Sequence, residues 1–192
     1  MERKRELRGA ILKQRDALSA DEIAARSAAA GKRLLSLSEV SAARLILFFV
    51  SFGSEIDTVP MISRSLAAGK RIAVPRVERR ARKLMPYEVR DLQSDLEPGA
   101  YGILEPKPDR PPARLDEIDV VIVPAVAWDE EGFRVGYGAG YYDRFLPEVP
   151  QAVRIGLGFE LQVRSDVPRG PKDLPVDILV TEAAVRRFAH PR

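Results

Sequence analysis

The run Asp119-Val-Val-Ile-Val-Pro124 is apolar at every position between its ends. A strand with one wet face alternates apolar and polar residues, whereas a strand covered on both faces does not. The segment therefore belongs in a sheet sandwiched between other layers. Leu45-Ile-Leu-Phe-Phe-Val50 has the same character. After it, residues 57–68 read as a helix ended by Gly69, and Arg71-Ile-Ala-Val-Pro75 as a second short strand. Strand, helix, strand over about 30 residues is a βαβ unit, parallel and right-handed. Residues 83–89, Val153-Arg-Ile-Gly-Leu-Gly158 and Val176-Asp-Ile-Leu-Val180 supply further strands, and the proline-rich EPKPDRPPAR (105–114) is a loop. The first 37 residues read as two helices: Leu7, Ile11 and Leu18 recur at helical spacing, and Ser19-Ala-Asp-Glu22 has the spacing of a capping box. The expected fold is a single α/β domain over residues 1–192. It has three layers, with a largely parallel sheet flanked by helices and an N-terminal helical pair.

Composition removes several chemistries. The chain has no cysteine, so disulfides, zinc-thiolate sites and thiol catalysis are excluded. Its one histidine, His190, sits near the C-terminus and reads as a solvated tail residue. No apolar run reaches about 18 residues, and MERKRELRG lacks the apolar core of a signal peptide, so the expectation is a cytoplasmic protein without a membrane partner. Lys and Arg number 31 against 28 Asp and Glu. That mild excess suits anionic small molecules as well as nucleic acid. The basic run VERRARK (77–83) lies between two strands without a nucleic-acid motif and reads as a solvated hairpin.

The chemistry concentrates in Arg134-Val-Gly-Tyr-Gly-Ala-Gly-Tyr-Tyr-Asp143. Glycine lets backbone amides turn into one concavity and approach a ligand closely. The short helix expected from Tyr141 adds its own N-terminal amides. Arg134 can fork onto a phosphate, and Asp143 suits a magnesium ion held between protein and phosphate. The run is neither a Walker A loop, which needs GxxxxGK[ST], nor a GxGxxG fingerprint, because the third glycine would fall at Tyr141 or Asp143.

The whole string resembles the signature of the 5-formyltetrahydrofolate cyclo-ligase (methenyltetrahydrofolate synthetase) family. VPAVAWDEEGFR before it, and KRELR with RDALS, FVSFGSEIDT, GKRIAVPRV, YGILEP and DLPVDILVTE, follow in that family's order along most of the chain. Ala139 stands where a third glycine is common in bacterial members, and KDLPVD lacks a histidine often found before its first aspartate.

The resemblance implies an ATP- and Mg2+-dependent enzyme acting on 5-formyltetrahydrofolate, polyglutamylated or not, as a monomer without nucleic acid. ATP binding then falls to Lys4, Arg5, Glu6, Leu7 and Arg8, led by the Lys4–Arg8 pair one helical turn apart, and to Arg134, Val135, Gly136, Tyr137, Gly138, Ala139, Gly140, Tyr141 and Tyr142. Arg134 and Tyr141 carry the catalytic roles. Asp143 and Asp173 are the expected metal ligands, with Asp177 competing for the second place. Glu55, at the rim after the first strand, accepts from the amino and ring N–H groups of the pterin. Val50 walls that pocket and Tyr101 sets an aromatic against the folate. Tyr137, Gly138, Ala139, Gly140 and Tyr141 complete the substrate side. Arg15 reads as surface, and Trp128 as core. One rival reading is a sugar-phosphate isomerase or related phosphate-binding protein, with Glu55 as its base; the other is an RNA-binding module using Lys4, Arg5, Arg8 and the basic residues from Arg76 to Arg82.

Overall fold

The computed structural model describes residues 2–99, 102–171 and 173–190. A seven-stranded sheet runs in the order β12-β11-β9-β6-β1-β2-β3. Its inner strands are β1 (Leu45–Leu47), β2 (Arg71–Glu78), β6 (Val120–Val123), β9 (Val153–Leu157) and β11 (Ile178–Val180), all parallel. The edges β3 (Lys83–Val89) and β12 (Val185–Arg187) are antiparallel, because each returns by a hairpin from its neighbour. The VERRARK run spans the tip of the β2–β3 hairpin, where Arg82 takes a positive φ of 52°. Two smaller sheets stand apart: β4 (Leu96–Pro98) with β5 (Leu104–Pro106), and β7 (Ala127–Asp129) between β8 (Arg134–Val135) and β10 (Val163–Arg164).

Apolar residues on both faces of the strands have two destinations, as the sequence pattern requires. Ile46, Ile72, Ile122 and Ile155 face Ala30 and Leu34 of α2 (Ala20–Leu35) and Met61 and Ile62 of α4 (Val59–Ala67). Leu45, Leu47, Val121 and Leu179 face Trp128, Phe145, Leu146 and Val149. Trp128 is fully buried and lies against Gly156 of β9, where an added Cβ would come within 2.6 Å of the indole. Only glycine admits the ring there.

The capping box starts α2 as expected: Ser19 Oγ accepts from the Glu22 amide at 3.2 Å, and the Glu22 carboxylate accepts from the Ser19 amide at 3.0 Å. The N-terminal pair divides its work. While α2 joins α3 (Ser38–Ala42) and α4 on the main sheet, α1 (Glu2–Asp16) buries Ile11 against Val126, Ala127, Val135 and Val167 around the β7–β8 sheet. The remaining helices are short: α5 (Leu92–Asp95) and α6 (Tyr141–Phe145).

At the carboxyl edge, β1 ends at Leu47 although the apolar run continues to Val50. Phe48 still donates to the Ala73 carbonyl at 2.9 Å. The chain then leaves the sheet, because the Thr58 hydroxyl donates to the Phe49 carbonyl at 2.8 Å and accepts from the Ser51 amide at 3.0 Å. That folds residues 51–58 into a loop over the strand ends. Strand β6 likewise exits into the β7–β8 hairpin and the glycine run. Ligands of parallel sheets bind at such carboxyl edges.

Candidate active site

The β7–β8 hairpin turns at residues 129–132, where Asp129 Oδ1 accepts from the Glu131 and Phe133 amides at 3.0 and 2.8 Å. This turn aims Arg134 and the glycine run at the rim. Gly138 and Gly140 take φ of +109° and +68°, backbone that side chains other than glycine rarely adopt. Arg8 Nε donates to the Gly136 carbonyl at 2.7 Å, and its guanidinium lies beside Gly138. From the other side, Arg144 donates to the Ala139 carbonyl at 2.6 Å and to the Arg82 carbonyl at 2.9 Å, stapling the run to the β2–β3 tip. A cavity of about 230 Å³ opens between them, lined by Arg79, Arg82, Gly138, Ala139 and Tyr141.

Two ion pairs sit behind this cradle. Arg134, buried, donates to Asp143 Oδ1 at 2.5 Å and to the Leu174 carbonyl at 2.6 Å. Burial pulls its guanidinium below the ordinary arginine value, and the charges of Asp143 and Asp173 oppose that. Lys4 Nζ donates to Asp173 Oδ2 at 2.6 Å, and the same oxygen accepts from the Gly170 amide at 2.7 Å. Asp177, the competing acid, is instead taken up by the Arg154 amide and guanidinium at 2.7 and 3.0 Å. Among the described residues, no group of three or more His, Cys, Asp or Glu gathers as a closed metal cage. Two carboxylates are nonetheless a suitable donor set for Mg2+, which keeps several waters and takes its other ligands from substrate phosphate.

A different environment surrounds Glu55. Its carboxylate, 6% exposed, accepts from the Phe52 amide at 3.1 Å and from the Tyr137 hydroxyl at 2.5 Å. Burial pushes Glu55 above the ordinary carboxyl value, while Tyr137 and Arg15 pull it back. Burial and the Glu55 charge likewise push the Tyr137 phenol up. The Tyr137 ring meets Phe52 at 5.4 Å between centroids. Tyr142 is half-buried, its hydroxyl enclosed without a hydrogen-bond partner, and burial raises it.

The structure thus brings Lys4, Arg8, Arg134, Asp143, Asp173, Glu55 and the glycine run to one rim. Val50 and Val135 are buried beneath it. Leu7 packs under α1 with Ile11, while Arg5 and Glu6 face solvent, Arg5 paired at 3.4 Å with Glu2. Tyr101 lies outside the described residues. The expectation that Arg15 lies on the surface is overturned: it is 3% exposed, hydrogen-bonded to Ser54. The signal was its register, because Lys4, Arg8, Ile11 and Arg15 share one helical face and Ile11 is core. Phe52, Arg82 and Arg144 were also missed.

The fold is that of solved methenyltetrahydrofolate synthetases. The chain superposes on the synthetase of Aquifex aeolicus with a TM-score of 0.86 at 35% identity, covering 98% of this chain and 94% of that one. A Mycoplasma pneumoniae synthetase at 21% identity shares the fold, with a TM-score of 0.76 over 93% of this chain and 98% of that one. The chain belongs to the 5-formyltetrahydrofolate cyclo-ligase family, which it matches over residues 1–182. It is 32% identical over 185 residues to the Escherichia coli K12 5-formyltetrahydrofolate cyclo-ligase, covering 91% of this chain and 98% of that protein.

Proposed function

We propose that this chain closes 5-formyltetrahydrofolate to 5,10-methenyltetrahydrofolate at the expense of ATP, releasing ADP and phosphate. The observation that carries the reading is the convergence, on one rim, of a cationic glycine cradle with a buried carboxylate, in a chain of this family. On this reading Glu55 accepts from the amino and N–H edge of the pterin and fixes the N5-formyl group near the glycine run. The formyl oxygen attacks the γ-phosphorus, and the bond to ADP breaks. N10 then attacks the formyl carbon and loses its proton, and phosphate departs. The substrate is its own nucleophile, so the absence of cysteine and the remote position of His190 are no obstacle. What the protein supplies is position and charge neutralisation, as in other phosphoryl transfers. Lys4, Arg8 and Arg134 bind the phosphates, and the amides around Gly138 and Gly140 hold their oxygens. Asp143 and Asp173 would hold Mg2+, which neutralises charge on the phosphate oxygens.

The test is the methenyl chromophore, followed by absorbance with 5-formyltetrahydrofolate and Mg2+, with and without ATP. Product that appears only with ATP is the expected result. ATP binding without product would overturn the reading and favour a phosphate-binding enzyme of another class.

A further inference from the structure

One buried cation has no part in that reading. Arg15 lies in the last turn of α1, 3% exposed, and with Arg134 it is one of two buried arginines among the described residues. Its Nε donates to Ser54 Oγ at 3.0 Å, and Ser54 in turn donates to Asp16. Its guanidinium carbon stands 5.7 Å from the centroid of the Tyr137 ring, within reach of a cation–π contact. With Phe49, Glu55, Ile56 and Gln162 it lines a space too narrow for a water molecule. A buried guanidinium is costly unless its charge is answered. Here the Tyr137 ring and Ser54 Oγ meet the guanidinium directly, and the nearby Glu55 interacts with it through charge alone.

We infer that Arg15 is a positioning residue of the folate pocket: it locks Tyr137 and the 51–58 loop around Glu55, so that this carboxylate is held in place for the substrate. The inference rests on the proposed reaction and deepens it. It also gives α1 a second purpose. Lys4 and Arg15 are eleven residues apart on one face, about 16 Å along a helix. One rigid element therefore sets the distance between the phosphate cradle and the folate acceptor.

The groups facing Glu55 are few. Arg15 comes from α1 and Phe52 N–H from its own loop, Tyr137 and Tyr142 come from the glycine run, and the neutral Gln162 follows β9. Arg15 is the one cation in this set. Burial raises Glu55 and Arg15 opposes that, so removing Arg15 must move the acid limb of kcat/KM for folate to higher pH.

The experiment compares wild type, Arg15→Met, Arg15→Lys, Glu55→Gln and the Arg15→Met/Glu55→Gln double variant, measuring kcat and both KM values across pH. Arg15→Met is expected to raise the folate KM about tenfold, with the ATP KM changed less than about twofold, and to shift the acid limb upward. In the Glu55→Gln background it should add less than about twofold, because its action runs through Glu55. Equal changes in both KM values, a fixed acid limb, or full multiplication in the double variant overturns the inference. If Arg15→Met folds poorly, Arg15→Lys decides. This variant keeps the charge and loses the Nε hydrogen bond to Ser54, so the folate KM rises a few fold at an unmoved acid limb, whereas unchanged or equally changed KM values overturn the inference. If the wild type forms no product, the proposed reaction fails separately. Equilibrium binding of 5-formyltetrahydrofolate then decides, and equal affinity in wild type and Arg15→Met overturns the inference.

Discussion

The two ends of α1 serve two carboxylate environments with opposite logic. At the N-terminal end Asp143 and Asp173 each meet a full cation at short range, Arg134 at 2.5 Å and Lys4 at 2.6 Å. At the C-terminal end Glu55 is more deeply buried and meets a phenol, a single amide and an offset guanidinium. The first arrangement stores paired charges that can be exchanged. On the proposed reading, Lys4 and Arg134 would turn to phosphate and Asp143 and Asp173 would hold the metal that accompanies it, so that each charge released finds a new partner. The second arrangement stores an acceptor in a dry place, where a hydrogen bond from a neutral donor is worth more than it is in water. Charge exchange suits a ligand recognised by its charge. A desolvated acceptor suits one recognised by the pattern of its donors.

The largest expected effect breaks the first end. Asp143→Asn keeps the shape and removes the charge, so turnover should fall by more than about a hundredfold, beyond the usual cost of losing a supporting group around a metal. Residual activity should need more Mg2+, and a retained circular dichroism spectrum would separate this from unfolding of the Arg134 region. Turnover within about tenfold of wild type would mean that the pair is structural and that the two ends do not differ as argued.

Glu55→Gln sharpens the contrast from the other side. A hydrogen bond to a charged group is worth about 1.5–3 kcal/mol, so the folate KM should rise roughly tenfold to a hundredfold while the ATP KM stays put. The pH profile carries the sign. Burial holds Glu55 above the ordinary carboxyl value, and on the proposed reading it accepts from the pterin as the carboxylate. Folate use therefore declines as pH falls through that raised value, and Glu55→Gln should erase this acid limb. Equal loss for both substrates would place Glu55 outside the folate pocket.

How much of this was legible in the sequence follows the same division. The strands were readable because apolar residues on both faces are a local signal, and all of the parallel strands lie where the runs placed them. The glycine run was readable because positive φ selects glycine locally, at Gly138 and Gly140. The β7–β8–β10 sheet was missed because β8 and β10 are too short to carry a period. The register of Arg15 with Ile11 hinted at its burial, but the partners that complete it, Ser54 and Tyr137, are remote in sequence. Asp173 and Asp177 could not be separated by sequence, since Arg154 claims Asp177 only once β9 and β11 pair side by side. Arg5 and Glu6 fall within the segment assigned to ATP, yet helical rotation turns them to solvent while Lys4 and Arg8 face the rim.

A smaller effect tests whether α1 really separates its two ends. Lys4 is partly exposed, with 29% of its side chain accessible, so its contribution is screened. Lys4→Ala should raise the ATP KM roughly threefold to tenfold, more at low ionic strength, and leave the folate KM and its acid limb unmoved. A shift of the folate limb would show that the helix transmits strain between the ends, and the comparison would become one of coupled halves.

The smallest expected effect has the opposite sign at working pH and bears most directly on the dry end. The Tyr137 hydroxyl already donates to Glu55 Oε1, one of the oxygens that the pterin's donors require on the proposed reading. Substrate entry then breaks a protein hydrogen bond before it makes its own. In Tyr137→Phe that bond is absent from the free protein, so folate should bind tighter by about 0.5–1.5 kcal/mol, roughly twofold to tenfold. The same hydroxyl helps to hold Glu55 as a carboxylate against the pull of burial. Its loss raises the protonation point of the free protein, so the gain should reverse on the acid side. Affinity curves for wild type and variant, measured calorimetrically across pH, should therefore cross. Weaker binding by Tyr137→Phe at every pH would mean that the phenol touches the substrate itself, and the acceptor at this end would be the pair Glu55–Tyr137 acting together.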